Sequence, residues 1–172
     1  MARRKPVQVN LKELPKPPKP EKPTPDWVCV QLTPEQISAY WDGLKQAAFM
    51  ALPVEYHTPM TANLMLTDLL SGAMQMWALI DAKNKQLIPS AIGVTVVSID
   101  NYAGLKKLNI PVAFAYNPVN NDGWMCALER IKEFAKQKGC ISIVTTSMND
   151  RVKQLSEILK ASSVCTHIEW KV

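Results

Sequence analysis

Proline placement divides this chain before any other feature is considered. Seven of its thirteen prolines fall within the first 26 residues, and the run Leu14 to Asp26, LPKPPKPEKPTPD, places one at nearly every second or third position. Each proline removes an amide donor and fixes φ, so this run is excluded from helix interiors and central strands and reads as an extended polyproline-II arm. The arm is also where the charge lies. It holds seven basic side chains (Arg3, Arg4, Lys5, Lys12, Lys16, Lys19, Lys22) against three acidic ones, a net of +4 out of the chain's net charge of +5. Residues 27–172 are therefore nearly neutral and do not read as a nucleic-acid-binding domain. Within the arm, Val7, Val9 and Leu11 alternate with Gln8 and Asn10, a period of two that suits strand addition to a partner's sheet edge. Those three residues, with Leu14, Pro17, Pro18 and Pro20, are the expected protein-contact residues. A basic arm also offers weaker, purely electrostatic contact with nucleic acid.

Beyond Asp26 the texture becomes that of one domain. Trp27 to Leu32 reads as a strand. Thr33-Pro34-Glu35-Gln36 is a capping box with proline in the first turn, and Ile37, Tyr40, Trp41, Leu44, Ala47, Ala48 and Ala51 follow at helical spacing until Pro53. Thr61 is expected to cap a second helix ending near Gly72. Met74 to Asp81 and Ile88 to Ile99 read as strands joined by the polar turn Lys83 to Gln86. Val112 to Tyr116 reads as a short buried strand, Asn117 to Gly123 as a loop, and Trp124 to Lys138 as a helix that Gly139 ends. Ile141 to Thr145 is a strand, Asn149 caps a last helix, and Val164 to Val172 is a final strand.

Several chemistries have no support in the residues. Cys29, Cys126, Cys140 and Cys165 contain no CxxC pair, and a chain of 172 residues builds a core without disulfides, which points to reduced thiols and a cytoplasmic setting. The basic start has no apolar stretch behind it, and no apolar run approaches the length that spans a bilayer. His57 and His167 lack metal-ligand spacing, and no GxSxG, P-loop or GxGxxG occurs. The five tryptophans are not interleaved with basic residues as a base-stacking surface requires.

The order of elements, β-α-α-β-β-β-α-β-α-β, resembles the GNAT fold of acetyl-CoA-dependent N-acetyltransferases across about 145 residues. The segment from Ile110 to Val164 carries most of that resemblance. The expectation is a mixed α/β (α+β) sheet of six to seven strands flanked by four helices. The texture is also similar to divergent acetyltransferase-like virion and assembly proteins of T7-like bacteriophages. In the family, acetyl-CoA lies between the fourth and fifth strands, the fourth strand's backbone bonds the pantetheine, and a loop of the form Q/R-x-x-G-x-G/A wraps the pyrophosphate at a helix N-terminus. The resemblance thus puts Phe114, Tyr116, Asn121, Gly123, Trp124 and Cys126 at cofactor-contact positions.

The matching loop, Asn117 to Cys126, departs from that pattern. It keeps one glycine, has no Arg or Gln, places Asp122 where a diphosphate rests, and puts Trp124 at a small-residue position. In the motif of the last helix, Ser156 stands where the family has its acid, a tyrosine, and residues 108–114 hold no carboxylate to act as base. Tyr116 is the remaining candidate acid. On these departures the chain reads as a non-catalytic structural or assembly protein of a phage particle, without cofactor, held to a partner by residues 1–26. The alternative is an acetyl-CoA-dependent N-acetyltransferase with a divergent cofactor loop, with Tyr116 and Ser156 as its catalytic candidates.

Overall fold

The computed structural model describes residues 26–83, 88–101 and 103–145. The expected arm contacts (Val7, Val9, Leu11, Leu14, Pro17, Pro18, Pro20), the helix after Asn149 with Ser156, and the strand over 164–172 lie outside the described residues. Among those described, five strands form one sheet in chain order: β1 (Trp27–Gln31), β2 (Met74–Asp81), β3 (Pro89–Ile99), β4 (Lys106–Ala115) and β5 (Ser142–Thr145). The first three pairings are antiparallel and β4–β5 is parallel. Three α-helices accompany them: α1 (Pro34–Ala51), α2 (Pro59–Ser71) and α3 (Asn121–Gln137). The described portion is thus a mixed α+β unit with five strands rather than six to seven, and three α-helices rather than four.

Helices cover both faces of the sheet, as a parallel β4–β5 pair joined through α3 requires. On one face Ile37, Leu44, Ala47 and Ala48 of α1 and Met65 and Leu69 of α2 pack on Met76, Ile92, Val94 and Val112. On the other, Ile131, Phe134 and Ala135 of α3 pack on Cys29, Trp77, Leu79 and Leu108, with Phe134 edge-on to Trp77 at 5.3 Å. The buried polar groups between them are chained together. Trp77 Nε1 donates to Thr95 Oγ1 (2.9 Å), Thr95 donates to Gln75 Oε1 (3.2 Å), and Gln75 Nε2 donates to the Gly72 carbonyl (2.8 Å). This chain gives the Trp77 and Thr95 side chains partners inside the sheet, where a missing one costs about 1–3 kcal/mol.

The helix ends follow from local chemistry, with two corrections to the sequence reading. The capping box at Thr33 and Gln36 forms in both directions. Thr58, not Thr61, caps α2: its hydroxyl accepts the Thr61 amide at 3.1 Å, and Pro59 takes the first helical position, where no amide is needed. The third helix starts at Asn121 rather than Trp124, because Asn120 is its cap and accepts the Gly123 amide at 2.9 Å. Gly72 and Gly139 close α2 and the turn after α3 with φ of 80° and 72°, where a Cβ is strained.

The fourth strand is twice the length expected, running from Lys106 rather than Val112. Its first residues look polar because Lys106, Lys107 and Asn109 flank the buried Leu108.

These ends set two stability expectations. Thr33→Ala removes one arm of the capping box and should lower unfolding free energy by about 1 kcal/mol. Gly43→Ala, in mid-helix with open space where its Cβ would stand, should raise it by roughly 0.5–1 kcal/mol. Urea denaturation of the two variants beside the parent measures both.

Candidate cofactor site

The site begins with an extra residue in β4. Val94 pairs with Val112, and Val96 with Asn109, so β3 advances two residues while β4 advances three. The surplus falls at Ile110–Pro111, a bulge occupied by a residue that has no amide to offer a neighbour. Below the bulge, Ile141 donates to the Lys106 carbonyl at 2.9 Å, which turns the backbone groups of Lys106, Leu108 and Ile110 toward β5. The last β4–β5 pair is Ile110 with Thr145, and the Thr145 hydroxyl also donates to the Ile110 carbonyl at 3.0 Å.

Above the bulge the alternation has shifted by one residue. Tyr116 donates its amide to the Ser90 carbonyl at 2.9 Å, which puts the amides of Phe114 and Val112 on the β3 side. Those of Ala113 and Ala115 then point to the opposite edge. Among the described residues no strand pairs with that edge beyond Ile110. The upper half of β4 thus presents amide and carbonyl groups along an edge that its lower half gives to β5.

The structure divides the six expected cofactor residues into two sets. Phe114 and Tyr116 lie at the end of β4, their rings edge-to-face at 5.2 Å. Phe114 packs on the α1–α2 core, while Tyr116 is exposed. Partial burial raises the Tyr116 phenol above its ordinary value, so it holds its proton at neutral pH. Asn121 is exposed in the first turn of α3. Gly123, Trp124 and Cys126 instead face the core beside β1. A Cβ on Gly123 would stand 2.6 Å from a Val119 methyl carbon and 2.9 Å from the Trp27 ring. Trp124 packs on the α3 core, where its buried Nε1 has no acceptor among the described residues. The Cys126 thiol donates to the Trp27 carbonyl at 3.4 Å. The glycine retained in this loop is therefore required for packing.

The start of α3 still keeps donors. Asn120 satisfies the Gly123 amide, which leaves those of Asn121 and Asp122 at the positive end of the helix. Asp122 adds an exposed carboxylate to the same turn. Sequence reasoning missed the bulge, the Ala113 and Ala115 edge, and Asn120. Pro111 was the available signal, since proline inside a strand marks a bulge or an edge.

A scan against protein-family models and a search of the curated proteins by sequence both find no match. Solved structures do match. The chain is similar to the aminoglycoside N-acetyltransferase AAC(6')-Iy in complex with a CoA bisubstrate analogue (TM-score 0.65, 9% identity, covering 85% of this chain and 97% of that one). It is similar to the ribosomal-protein-alanine N-acetyltransferase of Brucella melitensis biovar Abortus 2308 (TM-score 0.61, 10% identity, 85% and 99%). It is also similar to the glucosamine-6-phosphate N-acetyltransferase of Arabidopsis thaliana (TM-score 0.61, 12% identity, 84% and 97%). These likenesses establish a GNAT fold. They overturn the expectation of a non-catalytic scaffold in a phage particle: the three proteins just named are acetyltransferases, the first of them also solved with CoA, and nothing among them points to a phage structural role. Among the described residues, no helix is long and apolar enough to cross a membrane.

Two measurements test the packing at this site. Gly123→Ala should destabilise the protein by about 1–3 kcal/mol, because backbone and ring must move to admit one methyl group; chemical denaturation reads it. Burial pushes the Cys29 thiol up to about 11, with the Cys126 thiol adding to the shift and Arg130 opposing it. The folded state therefore retains the proton where the unfolded chain loses it. That contribution is fully present below the ordinary value of 9.0 and is lost as pH rises toward 11. Between pH 8 and pH 10.5 the parent's melting temperature should fall further than that of Cys29→Ala.

Proposed function

We propose that the chain is an acyl-CoA-dependent N-acyltransferase, with acetyl-CoA as the cofactor and a reduced pyrophosphate cradle. The observation that carries this reading is the upper edge of β4, with which no strand pairs among the described residues, beside the N-terminus of α3. Ala113 and Ala115 offer the donors and acceptors that a pantetheine arm needs to lie along the strand as an added strand would. Asn121 and Asp122 offer two helix-end amides to an anion. Against them stand the absence of any basic side chain in residues 117–126 and the Asp122 carboxylate. The residues therefore fit the pantetheine better than the diphosphate.

Acetyl-CoA, when bound, supplies the acyl thioester. The chain's own part is to hold that arm against β4 and to keep a proton available near the end of the strand. Tyr116 supplies such a proton from Oη. Because its pKa lies above the ordinary 10.0, it acts as an acid at neutral pH and not as a base. Ser156, on the segment that corresponds to the family's acid-bearing helix, is the competing donor and lies outside the described residues.

Calorimetry decides the reading. Acetyl-CoA should bind, and acetyl-pantetheine, which lacks the diphosphate, should bind within roughly tenfold of it. Asp122→Asn should tighten acetyl-CoA up to about fivefold and leave acetyl-pantetheine unchanged, the effect of removing one exposed like charge at a helix end. Silence toward acetyl-CoA at millimolar concentration ends the proposal. With a competent amine, Tyr116→Phe should lower kcat by roughly a hundredfold or more with cofactor affinity unchanged. If Ser156→Ala produces that loss instead, the proton donor is Ser156.

A further inference from the structure

The second helix is the least charged of the three. Its sequence, PMTANLMLTDLLS, holds one ionisable side chain, Asp68, whereas α1 and α3 turn Glu35, Asp42, Glu129, Lys132 and Lys136 to solvent. One side of α2 is committed to the core through Ala62, Met65 and Leu69. At about 100° per residue the opposite pole falls on Met60, Leu64, Thr67 and Ser71, a stripe with the alternating spacing of a coiled-coil seam. Two large apolar side chains stand on that pole, Met60 at 73% exposed and Leu64 at 60%. A helix packed on a core ordinarily turns charge to its far side, and one that is apolar at both poles has a second surface to bury.

The polar members of the stripe are already satisfied. The Thr67 hydroxyl donates to the Asn63 carbonyl at 2.8 Å, and the Ser71 hydroxyl donates to the Asp68 carbonyl at 3.1 Å. Both are therefore compatible with an apolar cover that strands no donor. The stripe is also graded, with its two long side chains in the first half and its two short ones in the second. Laid antiparallel on a copy of itself, about a two-fold axis between residues 65 and 66, it sets Met60 over the copy's Ser71 and Leu64 over the copy's Thr67, large against small in each layer. In that register Asp68, the helix's one charge, is displaced about 7 Å along the axis from its own copy. Val54 and Tyr56, exposed in the turn that leads into the helix, and Leu70 on its flank adjoin the same surface. Together with the stripe they expose on the order of 700 Å² per copy, near the ~800 Å² that a stable dimer covers on each partner.

We propose that this face of α2 joins two copies of the chain in a two-fold dimer, with the helices antiparallel and in contact through Met60, Leu64, Thr67 and Ser71. The graded stripe selects the occupant: a reversed copy of the same helix matches it layer for layer, whereas an unlike partner has no need of the grading. A membrane surface is disfavoured, because α2 carries no lysine or arginine to meet anionic head groups. The dimer stands apart from the acyltransferase reading. It uses no residue of β4 or α3, and α3 packs on the opposite face of the sheet.

Sedimentation equilibrium of the full chain reads the dimer directly, and its dissociation constant should lie at or below about 10 µM. Leu64→Lys puts two charges into the seam and should weaken association by roughly fiftyfold or more. Gln46→Lys, the same charge added at an exposed position of α1, should leave it unchanged. Leu64→Lys and Thr67→Glu should each sediment as monomers alone at about 20 µM and as a heterodimer when mixed, because the antiparallel layer sets the new lysine of one against the new glutamate of the other. Melting temperatures verify that each variant remains folded. A parent that is monomeric at about 100 µM, a dimer indifferent to Leu64→Lys, or a mixture no heavier than its components would each overturn the proposal. For a monomeric parent, a melting temperature lowered by Leu64→Lys assigns the face to another part of the same chain, and an unchanged one assigns it to an unlike partner; both outcomes reject the dimer.

Discussion

An antiparallel ladder admits no free choice of direction: once one amide is committed, every second residue along the strand follows it. In this protein that rule is broken at Ser90, between β2 and β3, and again at Ile110–Pro111, where β4 carries one residue more than β3 opposite it. Without the extra residue, the backbone groups facing β5 below Pro111 would belong to the same alternating set as those above it, and Ala113 and Ala115 would turn their amides into the sheet. With it, the lower half of β4 satisfies β5, and the upper half turns Ala113 and Ala115 toward an edge with which no strand pairs among the described residues. Proline suits the junction because it has no donor to strand there. The Thr145 hydroxyl bond to the Ile110 carbonyl closes the last rung just beneath it.

The start of α3 is set by a different constraint, and the two compete for the same few residues. A Cβ added at Gly123 would stand within 3.0 Å of the Trp27 ring and of a Val119 methyl carbon. The helix is thus drawn down onto β1, and Trp124 and Cys126 are carried into the same contact. A loop that spends its glycine on packing has none left for a close backbone approach to an anion. Asn120 makes the point again, since its side chain takes an amide that an anion would otherwise claim. What remains at the helix end is two amides and a carboxylate. What the loop lacks thus has one explanation, in which core packing set its residues.

How much of this was legible follows from how local each signal is. The second strand was readable to the residue because MQMWALID is bounded by Gly72 and a polar turn, and α1 because its capping box and proline lie within four residues. The start of β4 was not, because Lys106, Lys107 and Asn109 hide an alternation that appears only once Leu108 is seen buried. The start of α3 was misplaced because Asn120, Asn121 and Asp122 are all competent caps, and tertiary packing of Gly123 selects among them. The loop's departures from the family pattern were read correctly as residues and wrongly as function. A side chain in the sequence reports what a loop lacks, whereas the groups offered by β4 are backbone groups that no residue letter records.

The turn between α1 and α2 shows the same limit from the other side. Lys45 and His57 stand twelve residues apart across a helix end and a 3₁₀ turn, and each alone reads as an ordinary surface residue. Their meeting depends on Phe49, whose ring lies one turn beyond Lys45 on α1 and stacks on His57 after the chain has reversed. The reversal is fixed in turn by Pro53 ahead of the 3₁₀ turn and by Thr58 and Pro59 at the start of α2. The meeting of Lys45 with the Phe49–His57 ring pair is thus set by the turn between the helices and by neither helix alone.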